Sequence, residues 1–264
     1  SHLGPENVRK QFKGMVERCA DCGFDLAGGL VEVVPTAHYL MGGVICKTDT
    51  STELPGLFVA GEDAGGVHGA NRLGGNGVAN STVFGGIAGD TMPGFIARNP
   101  HWRAPDEEAI KAAMARATRP FEKRPGDLNR LRERLLNLMW DDVGVIRNRA
   151  GLERAIAALD EIDEELQATG LRDGDRAFNL TWQDWLNLDS QITVSKVIAR
   201  AALKRENSRG AHYREDFPDE GDLATSTYTV ASLRDGQVEI TEEPVAFTIV
   251  RPGETLLEEM RAAE

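Results

Sequence analysis

Residues 56–78 read GLFVAGEDAGGVHGANRLGGNGV, and this stretch decides the fold of the first part of the chain. Its apolar run at 57–60 ends at Gly61, which is typical of a buried parallel strand in an α/β sheet. A glycine-rich loop follows, and the small apolar residues at 78–90 predict a buried helix whose N-terminus lies at Asn76. A strand, a glycine loop and a helix N-terminus in this order are typical of a ligand-binding loop.

Glycine is concentrated in this region. Eleven of the 28 glycines lie within 56–90, where even spreading would place about four. Because unpaired N–H groups and the helix dipole both present partial positive charge, the loop suits an anion or an electron-rich ring. Its glycines match neither GxxxxGK followed by Ser or Thr nor a GxGxxG directly after a strand, so a nucleoside triphosphate site is not supported.

The polar residues of the loop are those that a small organic acid would need. Glu62, His68, Asn71 and Arg72 lie within it, and His38 precedes it in the sequence. A guanidinium can hold one carboxylate through two hydrogen bonds, and imidazoles can donate to a second. The pattern therefore indicates a dicarboxylate site.

The sequence on either side of the loop favours helices. Residues 6–22 carry apolar side chains at helical spacing and stop at Gly23. After Pro93, amphipathic charged stretches predict a helical bundle, and they lie at 105–117, 127–140, 151–169 and 179–206. Alternating residues at 225–233 and 237–250, on either side of an Asp-Gly pair, predict a β-hairpin. Three tryptophans at helical positions, namely Trp140, Trp182 and Trp185, are interpreted as core residues.

Composition excludes several classes of protein. A net charge of −12 and a pI of about 5.0 argue against nucleic-acid binding. No apolar run approaches the ~20 residues of a membrane-spanning helix, and the start lacks a signal-peptide pattern. Three cysteines favour a reducing cytosol, and the CxxC at Cys19 and Cys22 has no second pair, so two packing thiols are expected rather than a metal site.

Four motifs in order resemble the succinate dehydrogenase / fumarate reductase flavoprotein family. They are PTAHYLMGG at 35–43, GLFVAGE at 56–62, HGANRLGGN at 68–76 and SRGAHYREDFP at 208–218. The resemblance implies an α/β fragment of an FAD-binding domain followed by an α-helical bundle domain and a C-terminal β-hairpin. Its expected parts are the end of a capping domain (1–34), the last segment of the FAD-binding domain (35–95), the helical C-terminal domain (96–215) and a tail with the hairpin (216–264).

The resemblance also implies roles for residues. His38 and Arg72 match the dicarboxylate-binding His and Arg of the family. The expected FAD-binding residues are Glu62, Asn76, Gly77 and Val78. Most relatives in the respiratory complexes carry Ser where this chain has Gly77, so one hydrogen bond to the flavin is expected to be absent. His212 and Arg214 are interpreted as structural residues that tie the helical domain to the flavin domain.

The implied function is the C-terminal portion of an FAD-dependent oxidoreductase of electron transport that interconverts succinate and fumarate. No residue matches the family's GxGxxG or its proton-transferring arginine, so no catalytic residue is assigned, and the chain alone is expected to hold little FAD and to be inactive. One alternative is an L-aspartate oxidase, whose arginine motif usually has Ala-Ser where this chain has Gly74 and Gly75. The other is a non-catalytic assembly module that docks partner subunits.

The expected location is the cytoplasm, at the inner face of the membrane through partner subunits and without direct insertion. A cluster of basic residues stands out in the acidic chain, and its members are Arg116, Arg119, Lys123, Arg124, Arg130, Arg132 and Arg134. It is interpreted either as a surface for an iron–sulfur subunit or as a solvated helix face.

Overall fold

The computed structural model describes residues 2–34, 38–101, 103–235 and 237–254, and the chain divides into two compact units, Ser1–Tyr39 and Leu40–Glu264. The first unit contains α1 (Pro5–Gln11) and α2 (Lys13–Asp21), so the helix predicted at 6–22 is interrupted at Phe12. Helix α2 ends where Gly23 adopts φ +83°, and the N–H of Phe24 donates to the carbonyl of Cys19. Cys22 is exposed, so the prediction of two packing thiols is wrong for this residue.

The predicted strand at 57–60 does not form a ladder. Among the described residues this segment makes a single bridge, between Phe58 and Ser51, and the N–H of Val59 donates to the carbonyl of Thr50 at 3.0 Å. Leu57 is 47% exposed. A buried parallel strand requires neighbouring strands and helices on both faces, and the described residues supply neither here.

Helix α3 (Asn76–Arg98) begins at the predicted residue and continues past Pro93. The prediction that it is buried is wrong, because Asn80 and Ala88 are its only buried residues among those described. A Cβ placed on any of three of its glycines, Gly85, Gly86 and Gly89, would meet nothing within 4 Å. Small residues permit close packing, but the described part of this chain places nothing against that face.

The predicted helical bundle is present as α4 (Glu107–Thr118), α5 (Leu128–Val143), α6 (Arg149–Ala168) and α7 (Leu180–Lys204). Each helix begins directly after an acidic or amide residue whose side-chain oxygen accepts a backbone N–H of the first turn. These capping residues are Asp106, Asp127, Asn148 and Asn179. Such caps satisfy N–H groups that have no partner within the helix, which explains where the helices start.

The hydrophobic core lies where α5, α6 and α7 pack together. Its fully buried side chains include Leu131, Leu135, Leu152, Leu159, Ile162, Leu166, Leu188 and Ile192. Trp185 is 1% exposed and donates its indole N–H to the carbonyl of Thr169, and Trp182 packs against the core edge. Trp140 is 56% exposed, so the interpretation of this residue as core is wrong.

The basic cluster supplies ion pairs between helices. Five of its seven residues bond to acidic or amide side chains of α6 and α7: Arg116 to Asp189, Arg119 to Gln167, Arg130 to Glu165, Arg132 to Asp184, and Arg134 to Glu161 and Glu165. The cluster therefore stabilises the bundle surface, which favours the interpretation as a helix face.

The hairpin is formed by β1 (Thr227–Arg234) and β2 (Gln237–Pro244), which pair antiparallel with Arg234 opposite Gln237. Asp235 in its turn has φ +50°, and the following Gly236 lies outside the described residues. The guanidinium of Arg205, just after α7, donates to the Thr227 carbonyl and attaches the hairpin to the bundle. None of the helices in the described ranges combines the length and apolar character that crossing a bilayer requires.

Candidate functional site

The glycine loop is held against the segment that follows His38. The N–H of Val44 donates to the carbonyl of Asp63 at 2.7 Å, and the N–H of Gly65 donates to the carbonyl of Val44 at 3.0 Å. A Cβ on Gly65 would lie 2.9 Å from the carbonyl oxygen of Gly43. Glycine is therefore required where these two backbone segments meet.

Glu62 lies at the beginning of the loop and is exposed. Its Oε1 accepts the backbone N–H of Leu40 at 2.9 Å. An ionised carboxylate has about four acceptor positions, so this bond orients the group and leaves it able to accept hydrogen bonds from a ligand.

Arg72 lies half-buried near the end of the loop. Its backbone N–H contacts Sδ of Met41 at 3.0 Å, and its Nη1 donates to the carbonyl of Leu73 at 3.1 Å. Glu62 contacts residue 40 and Arg72 contacts residue 41, so the structure places both beside one short segment.

His68 is connected to α3 through Asn80, which the sequence analysis did not identify. The Nδ2 atom of Asn80 lies 3.2 Å from Nε2 of His68 and 3.0 Å from the carbonyl oxygen of Gly61. Because an amide nitrogen only donates, Nε2 of His68 is the acceptor and its proton is on Nδ1. A buried asparagine one turn into a predicted helix was the available signal.

The N-terminus of α3 begins at the end of the loop. Gly75 precedes it with φ +84°, no side chain caps the helix, and its first turn contains no acidic residue. Gly77 is half-buried, whereas Asn76 and Val78 are exposed. The amides of the first turn have no acceptor within the helix, so they suit an electron-rich group.

The loop offers space for such a group. A Cβ placed on four of its glycines would meet nothing within 4 Å, and these are Gly66, Gly69, Gly74 and Gly75. Three of them have positive φ, which explains their identity without a ligand, but the open space beside them does not follow from backbone conformation. The residues present therefore fit the polar edge of a flavin ring.

His38 belongs to the other compact unit, where it is exposed. The first three residues of its motif, 35–37, lie outside the described residues. Glu62, Arg72 and the residues 76–78 all belong to the unit that starts at Leu40.

The motif at 208–218 contacts the loop through its backbone. The N–H of Ala211 donates to the carbonyl of Ala70 at 3.0 Å. The side chains of His212 and Arg214 bond instead to residues at the ends of α5 and α7. The expected connection between helical and flavin segments therefore exists, but Ala211 makes it rather than those two side chains.

His212 is held as a neutral imidazole. Its Nδ1 lies 2.9 Å from Nη1 of Arg147, which can only donate, and its Nε2 lies 3.2 Å from the carbonyl of Arg205. Burial lowers the pKa of His212 to about 4, and the positive charges of Arg147, Arg205 and Arg214 lower it as well, against the opposing effect of the Arg205 carbonyl.

Arg214 is fully buried and satisfies two groups at once. Its Nε and Nη2 donate to Asp216 at 2.7 Å each, and its Nη1 donates to the Ala202 carbonyl in the last turn of α7 at 2.9 Å. Hydrogen bonds from Arg214 are the main reason that the pKa of Asp216 is lowered to about 2. This pair anchors the motif to the bundle.

Two family models match the chain. The first, described as the C-terminal part of the fumarate reductase flavoprotein, matches residues 132–257, and the second, described as an FAD binding domain, matches residues 1–78.

Curated relatives agree with these matches. One component of the CoM/CoB fumarate reductase of Methanothermobacter marburgensis is 37% identical over 83% of this chain and 40% of its own length. An L-aspartate oxidase of Synechocystis is 31% identical over 83% of this chain and 41% of its length. The chain thus spans about two-fifths of the length of these relatives.

Solved structures share the fold. A quinol fumarate reductase flavoprotein of E. coli superposes with a TM-score of 0.85 at 29% identity, over 96% of this chain and 44% of that one.

Proposed function

This chain belongs to the succinate dehydrogenase / fumarate reductase flavoprotein family, and we propose that it forms the C-terminal portion of an FAD-dependent oxidoreductase that interconverts succinate and fumarate. The observation that carries the proposal is local. Glu62 and Arg72 contact adjacent residues of one segment, directly before a helix whose N-terminus has no side-chain cap. One arrangement thus offers a cation for substrate and backbone donors for a cofactor.

Arg72 and His38 are proposed to bind the dicarboxylate. The planar guanidinium of Arg72 can form two parallel hydrogen bonds to one carboxylate, and the ring of His38 can donate to the other. Binding both ends fixes the central carbons, and fixed orientation is a large part of catalysis when two partners must meet in one geometry.

Glu62, Asn76, Gly77 and Val78 are proposed to lie on the cofactor side. When bound, FAD supplies the group that exchanges hydride with the substrate. The amides at 76–78 stabilise negative charge at the edge of the ring, because they lie at the positive end of α3. Glu62 is assigned to this side because a carboxylate next to a dianionic substrate would be repulsive.

The proposed partner is an iron–sulfur subunit, which would hold the enzyme at the inner, cytoplasmic face of a membrane without direct insertion of this chain. Support comes from the relatives, of which several are named as the flavoprotein subunit of a larger enzyme. The basic cluster gives no support, because five of its residues bond to the chain's own helices.

A second candidate is L-aspartate oxidation, supported by the oxidase of Synechocystis among the relatives. Both substrates are four-carbon dicarboxylates, so Arg72 and His38 would serve either one. Steady-state assays of the full-length flavoprotein with succinate and with L-aspartate separate the two. Turnover of aspartate alone would replace the first proposal.

The chain by itself is proposed to be inactive, because no residue matches the family's pyrophosphate-binding glycines or its proton-transferring arginine. We expect purified chain mixed with FAD to show neither bound flavin absorbance nor succinate oxidation. Robust turnover under these conditions would contradict the proposal.

The substitution Arg72→Lys in the full-length protein tests the substrate site. Charge is kept but the paired hydrogen bonds are lost, so kcat/KM should fall roughly 30- to 1000-fold, or about 2 to 4 kcal/mol. The matched control is Arg234→Lys at an exposed hairpin position, which should stay within about twofold. A value for Arg72→Lys within about threefold of wild type would remove Arg72 from the site.

A further inference from the structure

The tip of the 208–214 segment touches the loop two residues before Arg72. Gly210 and Ala211 form this tip, and the N–H of Ala211 donates to the Ala70 carbonyl at 3.0 Å. A Cβ on Gly210 would collide with that carbonyl and would lie 2.9 Å from the Ala70 Cβ. Gly210 also has φ +56°, so glycine is required both by conformation and by contact.

The tip is rigid because its own hydrogen bonds close it. The N–H of Arg209 donates to the carbonyl of His212 at 2.8 Å, and the return bond measures 3.0 Å. The Arg209 guanidinium then donates to the Glu220 carbonyl at 2.6 Å and to Oγ of Ser226 at 2.8 Å. The tip therefore cannot move without breaking bonds on both sides.

The base of the segment is attached to the ends of two helices. The ring of His212 bonds to Arg147, whose Nε donates to the Val143 carbonyl at the end of α5. Arg214 donates to the Ala202 carbonyl at the end of α7. The position of the tip is thus fixed by the bundle, which contains the hydrophobic core.

We infer that the Gly210–Ala211 tip positions Arg72, so that the bundle sets the location of the substrate-binding guanidinium. Contacts on two sides support this inference. The carbonyl of Ala70 accepts from Ala211, and the N–H of Arg72 contacts Met41, so the intervening peptides are held between them. The inference rests on the proposed role of Arg72 in binding substrate. The tip residues touch no reacting atom and act only through that arginine.

The substitution Gly210→Ala in the full-length flavoprotein tests the inference. The added methyl should displace Ala70 and with it Arg72, and a misplacement of about 1 Å can cost roughly 100-fold in rate. We expect the KM for succinate to rise about 10- to 100-fold, with flavin content and the thermal midpoint near those of the control.

The matched control is Gly221→Ala. Gly221 has φ +70°, so both variants carry a similar backbone penalty. A Cβ on Gly221 meets only the far end of the Arg209 side chain at 3.5 Å. The control should keep the wild-type KM within about twofold. Equal effects of the two substitutions would overturn the inference.

A double variant distinguishes failure of the inference from failure of the proposed function. If Gly210 acts through Arg72, then Gly210→Ala should cost less than about threefold when Arg72→Lys is already present. Additive effects would mean that the tip acts elsewhere. If Arg72→Lys alone leaves kcat/KM unchanged, the proposed function fails, whatever Gly210→Ala does.

A second pair of variants applies if Gly210→Ala does not fold. His212→Ala removes an anchor without adding bulk, whereas His212→Gln keeps an acceptor for Arg147 and a donor for the Arg205 carbonyl. We expect His212→Ala to raise the succinate KM at least about threefold and His212→Gln to restore most of it. A KM for His212→Ala equal to that of wild type would overturn the inference.

Discussion

Replacing Arg214 by alanine tests how strongly the 208–218 segment is anchored to the bundle. The guanidinium is fully buried, bonds to Asp216 through two nitrogens and donates to the Ala202 carbonyl. Its Cζ also lies 5.0 Å from the centre of the Phe217 ring. Alanine would leave the carboxylate and the last carbonyls of α7 without their donor.

The magnitude follows from what is left behind. Breaking a buried ion pair by removing one partner costs about 3 to 5 kcal/mol. Asp216 is partly exposed, so water can solvate part of its charge, and the lower value of about 3 kcal/mol applies. For a chain of this size we expect a fall in melting temperature of roughly 6 to 12 °C.

Urea unfolding followed by circular dichroism measures the effect, because the bundle supplies most of the helical signal. Arg214→Lys keeps the charge but loses the paired geometry, and should cost about half as much. Arg234→Ala removes an exposed arginine paired with Glu239 and should stay within about 0.5 kcal/mol. A loss below about 1 kcal/mol for Arg214→Ala would refute the reasoning.

Two further predictions concern histidines. Because the pKa of His212 is lowered to about 4, the unfolded chain takes up a proton that the folded chain does not, so stability should fall between about pH 6.5 and 4. The ring is only half-buried, so the loss should be about 1 to 2 kcal/mol, and urea unfolding of His212→Gln should show a flatter pH profile; equal slopes would be contrary evidence. In the full-length protein, His38→Ala should raise the succinate KM while keeping flavin, and Glu62→Ala should lose flavin through a contact worth about 1.5 to 3 kcal/mol. Flavin content and KM for both variants check the assignment, which is reversed if His38→Ala loses its flavin and Glu62→Ala keeps it.

The helices of the bundle were predictable because two local signals coincide. Amphipathic spacing marked the body of each helix, and a capping residue such as Asp127 or Asn179 marked its start. Trp140 shows the limit of the method. Its position in α5 fits the helical period, yet the side chain lies on the solvent side of the helix. Periodicity identifies a helix more reliably than it identifies which large residue faces the core.

The site was predictable as a set of residues but not as a geometry. The glycine pattern and the motifs identified Glu62 and Arg72, because residue types carry that information. The bond from Leu40 to Glu62 and the bond from Ala211 to Ala70 join positions 22 and 141 residues apart. No local pattern encodes such a pairing. Thr50, a buried β-branched residue with φ +68°, was equally unforeseeable, since sequence alone favours glycine or asparagine in that conformation.

The distribution of burial separates what folds this chain from what equips its site. Side chains with no exposed surface, such as Leu152, Leu159 and Ile162, lie in the bundle, whereas Glu62 is exposed and Arg72 half-buried. Because apolar burial supplies most of the free energy of folding, residues around the loop contribute little to it and cannot fix their own geometry by packing. They obtain it from contacts with better-packed neighbours, of which the tip at 210–211 is one. Substitutions at that tip should therefore alter substrate binding while the bundle unfolds at its usual denaturant concentration.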